Sequence, residues 1–194
     1  MKIFILRHED RTNDCTFFSP LTELGLQNSK NLIQILEENN INLIFSSPFI
    51  RTLQTINPYL KYSNLNVNIE YGLSEIQHPD IIPPKSVGIA LPEYLAKHYN
   101  YNSKYNSFIK HNELKYPENT NGIQSRTIKI IKYIIEKYYK TDYNILLVTH
   151  QGICKTILKI INKFSSNHKN LNSEYKKGKF CLIFDNDWVF KELN

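Results

Sequence analysis

The chain opens with Met1-Lys2-Ile3-Phe4-Ile5-Leu6-Arg7-His8-Glu9-Asp10, in which a short apolar run ends abruptly in an arginine and a histidine. Unbroken β-prone runs of this kind are typical of strands buried on both faces, as in a parallel sheet. In open α/β sheets, ligands bind outside the carboxyl ends of the strands. Arg7 and His8 therefore occupy a position that suits chemistry, although a surface arginine and a hydrogen-bonded histidine would give the same pattern.

A second stretch, Tyr143 to Gly152, repeats this design. Its apolar strand Ile145-Leu146-Leu147-Val148 ends in Thr149-His150, and a helical pattern follows at once. Two buried strands that each end in a histidine indicate a functional site more strongly than one such strand does. Because the carboxyl ends of parallel strands meet at one edge of the sheet, we expect His8 and His150 to lie in one site.

A third apolar strand, Ile41 to Phe45, leads into Ser46-Ser47-Pro48-Phe49-Ile50-Arg51. Ser47 as N-cap and Pro48 as first helical residue predict a helix start. Arg51 would then lie in the first turn, where the helix dipole disfavours a cation. The position makes sense if Arg51 helps free backbone N–H groups to hold an anion, and the alternative is a solvated surface arginine.

The remaining segments alternate between strand and helix patterns. A helix begins after Thr22, an amphipathic helix spans Thr120 to Lys140, and the other strands are predicted at Asn66 to Glu70, Phe180 to Phe184 and Trp188 to Phe190. We therefore predict an α/β fold, a three-layer α/β/α sandwich with a mostly parallel central sheet, helices on both faces and an inserted cap.

The predicted cap is a proline-rich stretch at about residues 76–118, inside one domain that spans residues 1–194. A stretch of this length without strand pattern is more typical of a functional lid than of a passive connector. Short helices are expected within it at Pro92 to His98 and Ser103 to His111. The hydrophilic segment Ser165 to Lys179 is interpreted as a mobile loop.

Composition limits the function classes. The 194 residues are 41% hydrophobic, enough for one full core, and carry a formal net charge of +6, which favours anionic partners. The three cysteines are an odd number without metal-type spacing, which argues against a disulfide framework and a zinc site. The abundance of Asn, Ile, Lys and Tyr matches A/T-rich codons, so the charge is weak support for nucleic-acid binding. No run approaches the roughly 20 apolar residues of a membrane span, and we expect a cytoplasmic protein without membrane partners.

Two arginines, two histidines and two helix N-termini at one sheet edge would suit a phosphoryl group. Guanidinium groups match phosphate oxygens in pairs, and backbone N–H groups add fixed donors. An imidazole among cations stays neutral, which leaves a ring nitrogen free to attack phosphorus. Glu75, in the turn-like passage Tyr71 to Ile76, is the best placed carboxyl group to protonate the departing oxygen. No metal is required, because the cations already neutralise the phosphate charge.

Several motifs, in this order along nearly the whole chain, resemble the histidine phosphatase superfamily, in particular the phosphoglycerate mutase-like enzymes of its first branch. They are Leu6-Arg7-His8, Leu21-Thr22-x-x-Gly25, Ser46-Ser47-Pro48-x-x-Arg51-Thr52-x-x-Thr55, Glu75 and Val148-Thr149-His150-x-Gly152. The resemblance implies that His8 is the phosphorylated nucleophile, and that Glu75 donates the proton. Phosphate binding is implied for Arg7, Arg51 and His150, and the cap is implied to follow the third strand.

The sequence departs from the family pattern at several positions. Glu9 and Gln151 replace glycines that usually follow the two histidines, and Asp14 stands near the place of a phosphate-contacting Asn. Arg11 resembles the last arginine of the Arg-His-Gly-Glu-Arg signature of ubiquitin-associated, SH3-containing phosphatases. These departures favour a phosphatase over a mutase, with Arg11 as a further phosphate-binding cation.

Other charged residues near these motifs have weaker claims. Glu9 and Asp10 are interpreted as orienting or exposed carboxylates and less readily as catalytic acids. A second anionic group could be bound by lid cations, although their spacing singles none out: Lys85, Lys97, His98, Lys104, Lys110, His111 and Lys115.

The sequence thus predicts a metal-independent, cofactor-free phosphatase. Its substrate would be a phosphorylated small molecule or a phosphoprotein, and a homodimer is a possible assembly. One alternative is phosphotransfer of the phosphoglycerate mutase type, and another is a non-catalytic module that binds phospholigands or phosphoproteins. A nucleic-acid binder would rest on charge and tyrosine content alone, and we expect no nucleic-acid partner.

Overall fold

The computed structural model describes residues 1–164 and 175–194, and in these ranges six strands form one mixed sheet in the order β3-β2-β4-β1-β5-β6. The first four strands are mutually parallel where they pair, β5 pairs antiparallel with β1, and β6 pairs antiparallel with β5. The predicted mostly parallel sheet is therefore confirmed. The strands are β1 (Lys2–Arg7), β2 (Leu43–Ser46), β3 (Val67–Ile69), β4 (Asn144–Thr149), β5 (Phe180–Asp185) and β6 (Trp188–Glu192).

Helices cover both faces of this sheet. Alternate residues of β1 point to opposite sides, so that Phe4 and Leu6 pack in one hydrophobic cluster and Ile3 and Ile5 in another. The first cluster contains side chains of the helices Glu23–Glu38 and Ile50–Ser63, and the second contains side chains of the helices Thr120–Tyr138 and Gln151–Phe164. This arrangement is the predicted three-layer sandwich. The helices are α1 (Glu23–Glu38), α2 (Ile50–Ser63), α3 (Glu93–Ala96), α4 (Thr120–Tyr138) and α5 (Gln151–Phe164).

Strand register brings the carboxyl ends of β1, β2 and β4 to the same level. Arg7 lies opposite Thr149, and Ser46 lies opposite Val148. The pairing continues one residue past β1 and β2, because the backbone N–H of His8 donates to the Thr149 carbonyl at 3.0 Å and that of Ser47 donates to the Val148 carbonyl at 3.0 Å. Three polar chain segments therefore leave the sheet side by side.

The start of α1 is as predicted, whereas the start of α2 is not. Thr22 caps α1 and accepts from the Gly25 N–H at 3.1 Å; Gly25 must lack a side chain because a Cβ there would collide with the Asp10 carbonyl. Helix α2 begins at Ile50, and Phe49 precedes it without a side-chain cap. The predicted N-cap role of Ser47 is wrong because its hydroxyl is bonded to a histidine of the site described below.

The residues of the predicted cap form short turns. Besides α3, they contain 3₁₀ turns at Pro84–Ser86, Lys97–Tyr99 and His111–Glu113. The helix expected at Pro92 to His98 is confirmed as α3 and its adjoining turn. The helix expected at Ser103 to His111 is wrong, because the Glu70 carboxylate there accepts from the N–H groups of Phe108 and Ile109 and from the Tyr105 hydroxyl. The chain there folds around the buried Glu70 side chain.

The predicted mobile loop at Ser165 to Lys179 falls largely outside the described residues. Its described end, from Tyr175 onward, lies against β1: Tyr175 is completely buried, and its hydroxyl donates to the Ile5 carbonyl at 3.2 Å. The hydrophilic composition of the segment gave no sign of this buried side chain. Among the described helices, none is both long and apolar enough to cross a membrane.

Candidate active site

Five of the predicted site residues line one cavity of about 420 Å³ at the carboxyl edge of the sheet. They are Arg7, His8, Arg11, Arg51 and Glu75. The sixth, His150, is fully buried beside the cavity, and its ring centroid lies 5.2 Å from that of His8. The structure thus brings together all six residues that sequence reasoning had drawn from four separate segments.

His8 is held in one tautomer. Its Nδ1 atom lies 2.7 Å from the Glu9 carbonyl oxygen, and a carbonyl oxygen can only accept, so Nδ1 carries the proton. The Nε2 atom is then left with its lone pair. Burial lowers the pKa of His8 well below its ordinary value, and the charge of Arg51 lowers it further. The imidazole is therefore neutral and suited to act as a nucleophile.

The three arginines are each tied to a backbone carbonyl. Arg7 donates to the Tyr175 carbonyl, Arg11 to the carbonyl of the next residue, and Arg51 to the Thr16 carbonyl at 2.8 Å. Burial lowers the pKa of Arg51 to about 10, so its guanidinium is still charged at neutral pH. Fixed guanidinium groups on one cavity make a site for an anion with several oxygens.

His150 has a different environment from His8. Its Nε2 atom lies 2.7 Å from the Ser47 hydroxyl, and the edge of its ring meets Phe49 at a centroid distance of 4.9 Å. No described residue bonds to its Nδ1 atom, although this atom is buried. Burial and then the charge of Arg51 lower its pKa well below the ordinary value. A neutral ring with one free nitrogen can donate a hydrogen bond to a bound anion.

Glu75 lies on the irregular segment that follows β3. Only 7% of its surface is exposed, and burial raises the pKa of its carboxyl group. Its Oε1 atom accepts from the Ile76 N–H at 3.0 Å. A Cβ on Gly152 would lie 2.5 Å from the Ile76 Cδ1 atom and 2.7 Å from Oε1 of Glu75, so both side chains lie close against the start of α5. A carboxyl group with a raised pKa is suited to donate a proton.

Four further residues of the cavity wall are not predicted by the sequence motifs: Cys15, Asp80, Ile81 and Lys155. Lys155 had a usable signal, since it lies four residues after Gln151, which also lines the cavity, and such spacing places both on one helix face. Cys15, Asp80 and Ile81 come from irregular segments without periodicity. The seven lid cations named in the sequence analysis, all of them described, do not line this cavity.

The acidic residues after His8 are engaged elsewhere. The Glu9 carboxylate is buried against Gly178 and is 3.4 Å from the Asn28 amide nitrogen, whereas Asp10 accepts from the Thr22 hydroxyl and the Lys177 ammonium group. Asp14 accepts from hydroxyl groups of its own loop, which hold its pKa at about 2. None of the three lines the cavity. An orienting role for Glu9 and Asp10 stays a prediction.

The described ranges contain no group of three or more His, Cys, Asp or Glu side chains that could hold a metal ion. Among the described residues, the thiols of Cys154 and Cys181 are buried, that of Cys15 is partly exposed, and none forms a disulfide with another. Metal independence stays a prediction.

Comparison with solved structures gives close matches in fold. The ecdysone phosphate phosphatase of Bombyx mori matches with a TM-score of 0.74 at 12% identity, over 98% of this chain and 91% of that one. A putative alpha-ribazole-5′-P phosphatase of Escherichia coli matches with a TM-score of 0.66 at 20% identity, over 100% of this chain and 96% of that one. At these identities the likeness concerns the fold alone.

Sequence comparison gives one curated relative and one family model. The 55 kDa subunit of transcription factor tau from Saccharomyces cerevisiae is 33% identical over 138 residues, which are 68% of this chain and 31% of that protein. The chain thus spans about a third of the length of this curated relative. The family model of the histidine phosphatase superfamily (branch 1) matches residues 16–191, starting downstream of Arg7 and His8. The chain therefore belongs to the histidine phosphatase superfamily, branch 1.

Proposed function

We propose that the chain is a phosphatase that hydrolyses phosphomonoesters through a phosphohistidine on His8, without a metal ion. Its substrate is a phosphorylated small molecule or a phosphoprotein. The observation that carries this proposal is the free Nε2 atom of a neutral His8, on the same cavity as three fixed guanidinium groups and a protonatable Glu75.

In the first step, the Nε2 lone pair of His8 attacks phosphorus. The N–P bond forms as the ester P–O bond breaks, and the Glu75 carboxyl group gives its proton to the departing oxygen. Arg7, Arg11, Arg51 and the Nδ1–H of His150 donate to the equatorial phosphoryl oxygens. These donors stabilise negative charge without a large rearrangement, because their positions are already fixed.

In the second step, water attacks the phosphorus of phosphohistidine. The Glu75 carboxylate takes a proton from the water, the N–P bond breaks, and the electron pair returns to Nε2 of His8. Inorganic phosphate leaves, and Glu75 is again protonated. The sum of both steps is one ester and one water converted to one alcohol and one phosphate.

A second candidate function is a non-catalytic module that binds a phospholigand or a phosphoprotein. The similarity to a transcription-factor subunit favours it, since that protein is named as a component of an assembly. The same cationic cavity would bind a phosphate group without turnover. Mutase-type phosphotransfer has less support, because Asp14 is engaged with its own loop and no Asn takes the expected place.

The test is hydrolysis of an aryl phosphate in the presence of EDTA by wild type, His8→Ala and His98→Ala. His98 is an exposed cap residue and serves as the matched control. We expect wild type and the control to be equally active and His8→Ala to be inactive. Labelled phosphate should be trapped as an acid-labile adduct in wild type and be missing in His8→Ala.

Each other outcome points to a different function. Full activity of His8→Ala would remove the nucleophile assignment, and loss of wild-type activity in EDTA would remove the metal-free mechanism. An inactive wild type that still binds tungstate, with binding lost in Arg51→Met, would support the binding module. Transfer of the trapped phosphoryl group to a second alcohol, in preference to water, would support a mutase.

A further inference from the structure

A buried ion pair lies behind the segment that carries Glu75. Arg126 on α4 bonds the Glu118 carboxylate through two atoms, with Nε to Oε1 at 2.8 Å and Nη2 to Oε2 at 2.7 Å. The two side chains are 6% and 4% exposed. Removing two charges from water is costly, and apolar side chains of similar size often stabilise a core equally well. The pair therefore calls for an explanation other than stability alone.

Its remaining hydrogen bonds converge on the residues on either side of Glu75. The Nη1 atom of Arg126 donates to the carbonyls of Gly72 at 2.8 Å and Ser74 at 2.9 Å. Glu118 accepts from the Gln77 N–H at 2.9 Å, and its own N–H donates to the Gln77 carbonyl at 2.7 Å. The pair thus holds the backbone both before and after Glu75.

Gln77 adds a direct hydrogen bond to Glu75. Its side-chain amide donates to the carbonyl of Glu75 itself at 2.8 Å, and the side chain is only 1% exposed. The segment between Leu73 and Pro84 belongs to no strand or helix, so no regular hydrogen-bond pattern of its own fixes its backbone. Arg126, in contrast, lies on a helix of 19 residues packed against the sheet. The ion pair therefore attaches the irregular segment that carries Glu75 to helix α4.

We propose that Arg126 and Glu118 are positioning residues that hold Glu75 in place for proton donation. This inference rests on the proposed function, in which Glu75 protonates the leaving oxygen. The clamp, meaning Arg126, Glu118 and Gln77, does not line the cavity that contains His8 and the three arginines. Its loss therefore impairs the step that needs a proton donor and leaves phosphate binding intact.

Leaving groups of different basicity test this role. An alkyl phosphate needs its departing oxygen protonated, whereas a dinitrophenyl phosphate does not. The measurement is the single-turnover rate of phosphohistidine formation from each substrate, for wild type, Glu75→Gln, Arg126→Lys and Glu118→Gln. Arg126→Lys keeps the positive charge and one contact to Glu118, so the buried carboxylate is not left unpaired. The shorter donor set of lysine cannot also reach the carbonyls of Gly72 and Ser74.

Arg126→Lys and Glu118→Gln should each lower the rate with the alkyl phosphate about 10- to 100-fold, and the rate with the dinitrophenyl phosphate by less than about threefold. Adding Arg126→Lys to Glu75→Gln should cause no further loss with the alkyl phosphate, because the two residues act through one step. Lys129→Gln, which removes an exposed cation one turn further along α4, is the control and should match wild type.

Two results would overturn the inference. One is an equal loss with both substrates in Arg126→Lys, as expected of a merely structural residue; the other is a further loss in the double variant. Failure of the proposed function would be distinguishable from these results, because it would appear in Glu75→Gln itself. That variant would then lose rate equally with both substrates, or lose no rate with either.

Discussion

The two histidines at the ends of β1 and β4 share one sequence design and differ in their hydrogen bonds. Burial and the charge of Arg51 lower both pKa values well below the ordinary value. His8 lies on the cavity wall and bonds a carbonyl oxygen through Nδ1. His150 lies deeper and bonds the Ser47 hydroxyl through Nε2, and no described residue bonds its Nδ1.

This difference in hydrogen bonding indicates separate roles for the two histidines, nucleophile and hydrogen-bond donor. Their pKa shifts, which have the same direction and the same two largest causes, do not distinguish these roles. A carbonyl oxygen fixes the proton of His8 on Nδ1, which leaves Nε2 as a permanent acceptor and nucleophile. A hydroxyl group can donate or accept, so Ser47 allows His150 to carry its proton on Nδ1 and donate to an anion. The partner of the other ring nitrogen decides what each histidine can do for a phosphoryl group.

Replacing each histidine by asparagine should give the largest contrast. We expect His8→Asn to lose at least about 10³-fold in kcat, because the nucleophile is removed. His150→Asn should lose only about 10²-fold, because one of several donors to the phosphoryl oxygens is removed. Rapid quenching with labelled substrate should trap phosphoenzyme in His150→Asn alone. Phosphoenzyme in His8→Asn and none in His150→Asn would reverse the two assignments.

Removing the charge of Arg51 should act on both histidines at once. Arg51 is the charged group that most lowers the pKa of each, so Arg51→Met should raise both pKa values. His8 must be neutral to attack; a higher pKa means that activity is lost at a higher pH as the solution is acidified. We expect the acid limb of kcat/KM to move to higher pH, besides an overall loss of about 10²-fold.

The control for this shift is Lys129→Met, which removes an exposed cation on α4 outside the cavity wall. Its acid limb should coincide with that of wild type. An unmoved acid limb in Arg51→Met would mean that the limb belongs to another group than His8.

Folding stability should also depend on these histidines. The ordinary pKa of histidine is 6.5, and both folded-state values lie well below it. Below pH 6.5 the unfolded chain binds protons that the folded chain does not, so the unfolding free energy falls as the pH falls toward the folded-state values. The full stability is present above pH 6.5, and each histidine contributes up to about 1.4 kcal/mol per pH unit below it.

Urea unfolding of wild type and His150→Gln at several pH values measures this dependence. The variant should have a shallower slope below pH 6.5 than wild type. Parallel curves would show that His150 is protonated equally in both states and is not held neutral by the fold.

The sequence was informative wherever local periodicity governed the structure. The apolar runs of β1 and β4 and the capped start of α1 were predictable, because burial and capping depend on near neighbours. The strand ends then placed His8 and His150 at one edge through the parallel-sheet rule alone. Glu75 was predicted as the proton donor, but no local pattern indicated the contacts that hold its segment in place.

Features that depend on distant partners were not predictable. Ser47 and Pro48 read as a helix start, but the Ser47 hydroxyl bonds a histidine 103 residues away. Arg126 lies on the buried side of a helix whose pattern predicts apolar residues, and its acceptors Gly72 and Ser74 lie 54 and 52 residues earlier. Nothing local distinguishes such a residue from a solvated arginine.

The smallest expected effect concerns Ser47, whose hydroxyl distinguishes the environment of His150 from that of His8. Ser47→Ala removes the hydrogen bond to His150, worth about 1 kcal/mol, and a longer one from the Phe49 N–H at 3.4 Å, and it should weaken tungstate binding about fivefold. Ser46→Ala is a matched control, since both side chains are fully buried and the Ser46 hydroxyl donates to a backbone carbonyl at 2.9 Å. Both variants should lose stability, and only Ser47→Ala should lose affinity. Equal affinities would mean that the hydroxyl does not orient His150 toward the anion, and the contrast between the two histidines would then rest on His8 alone.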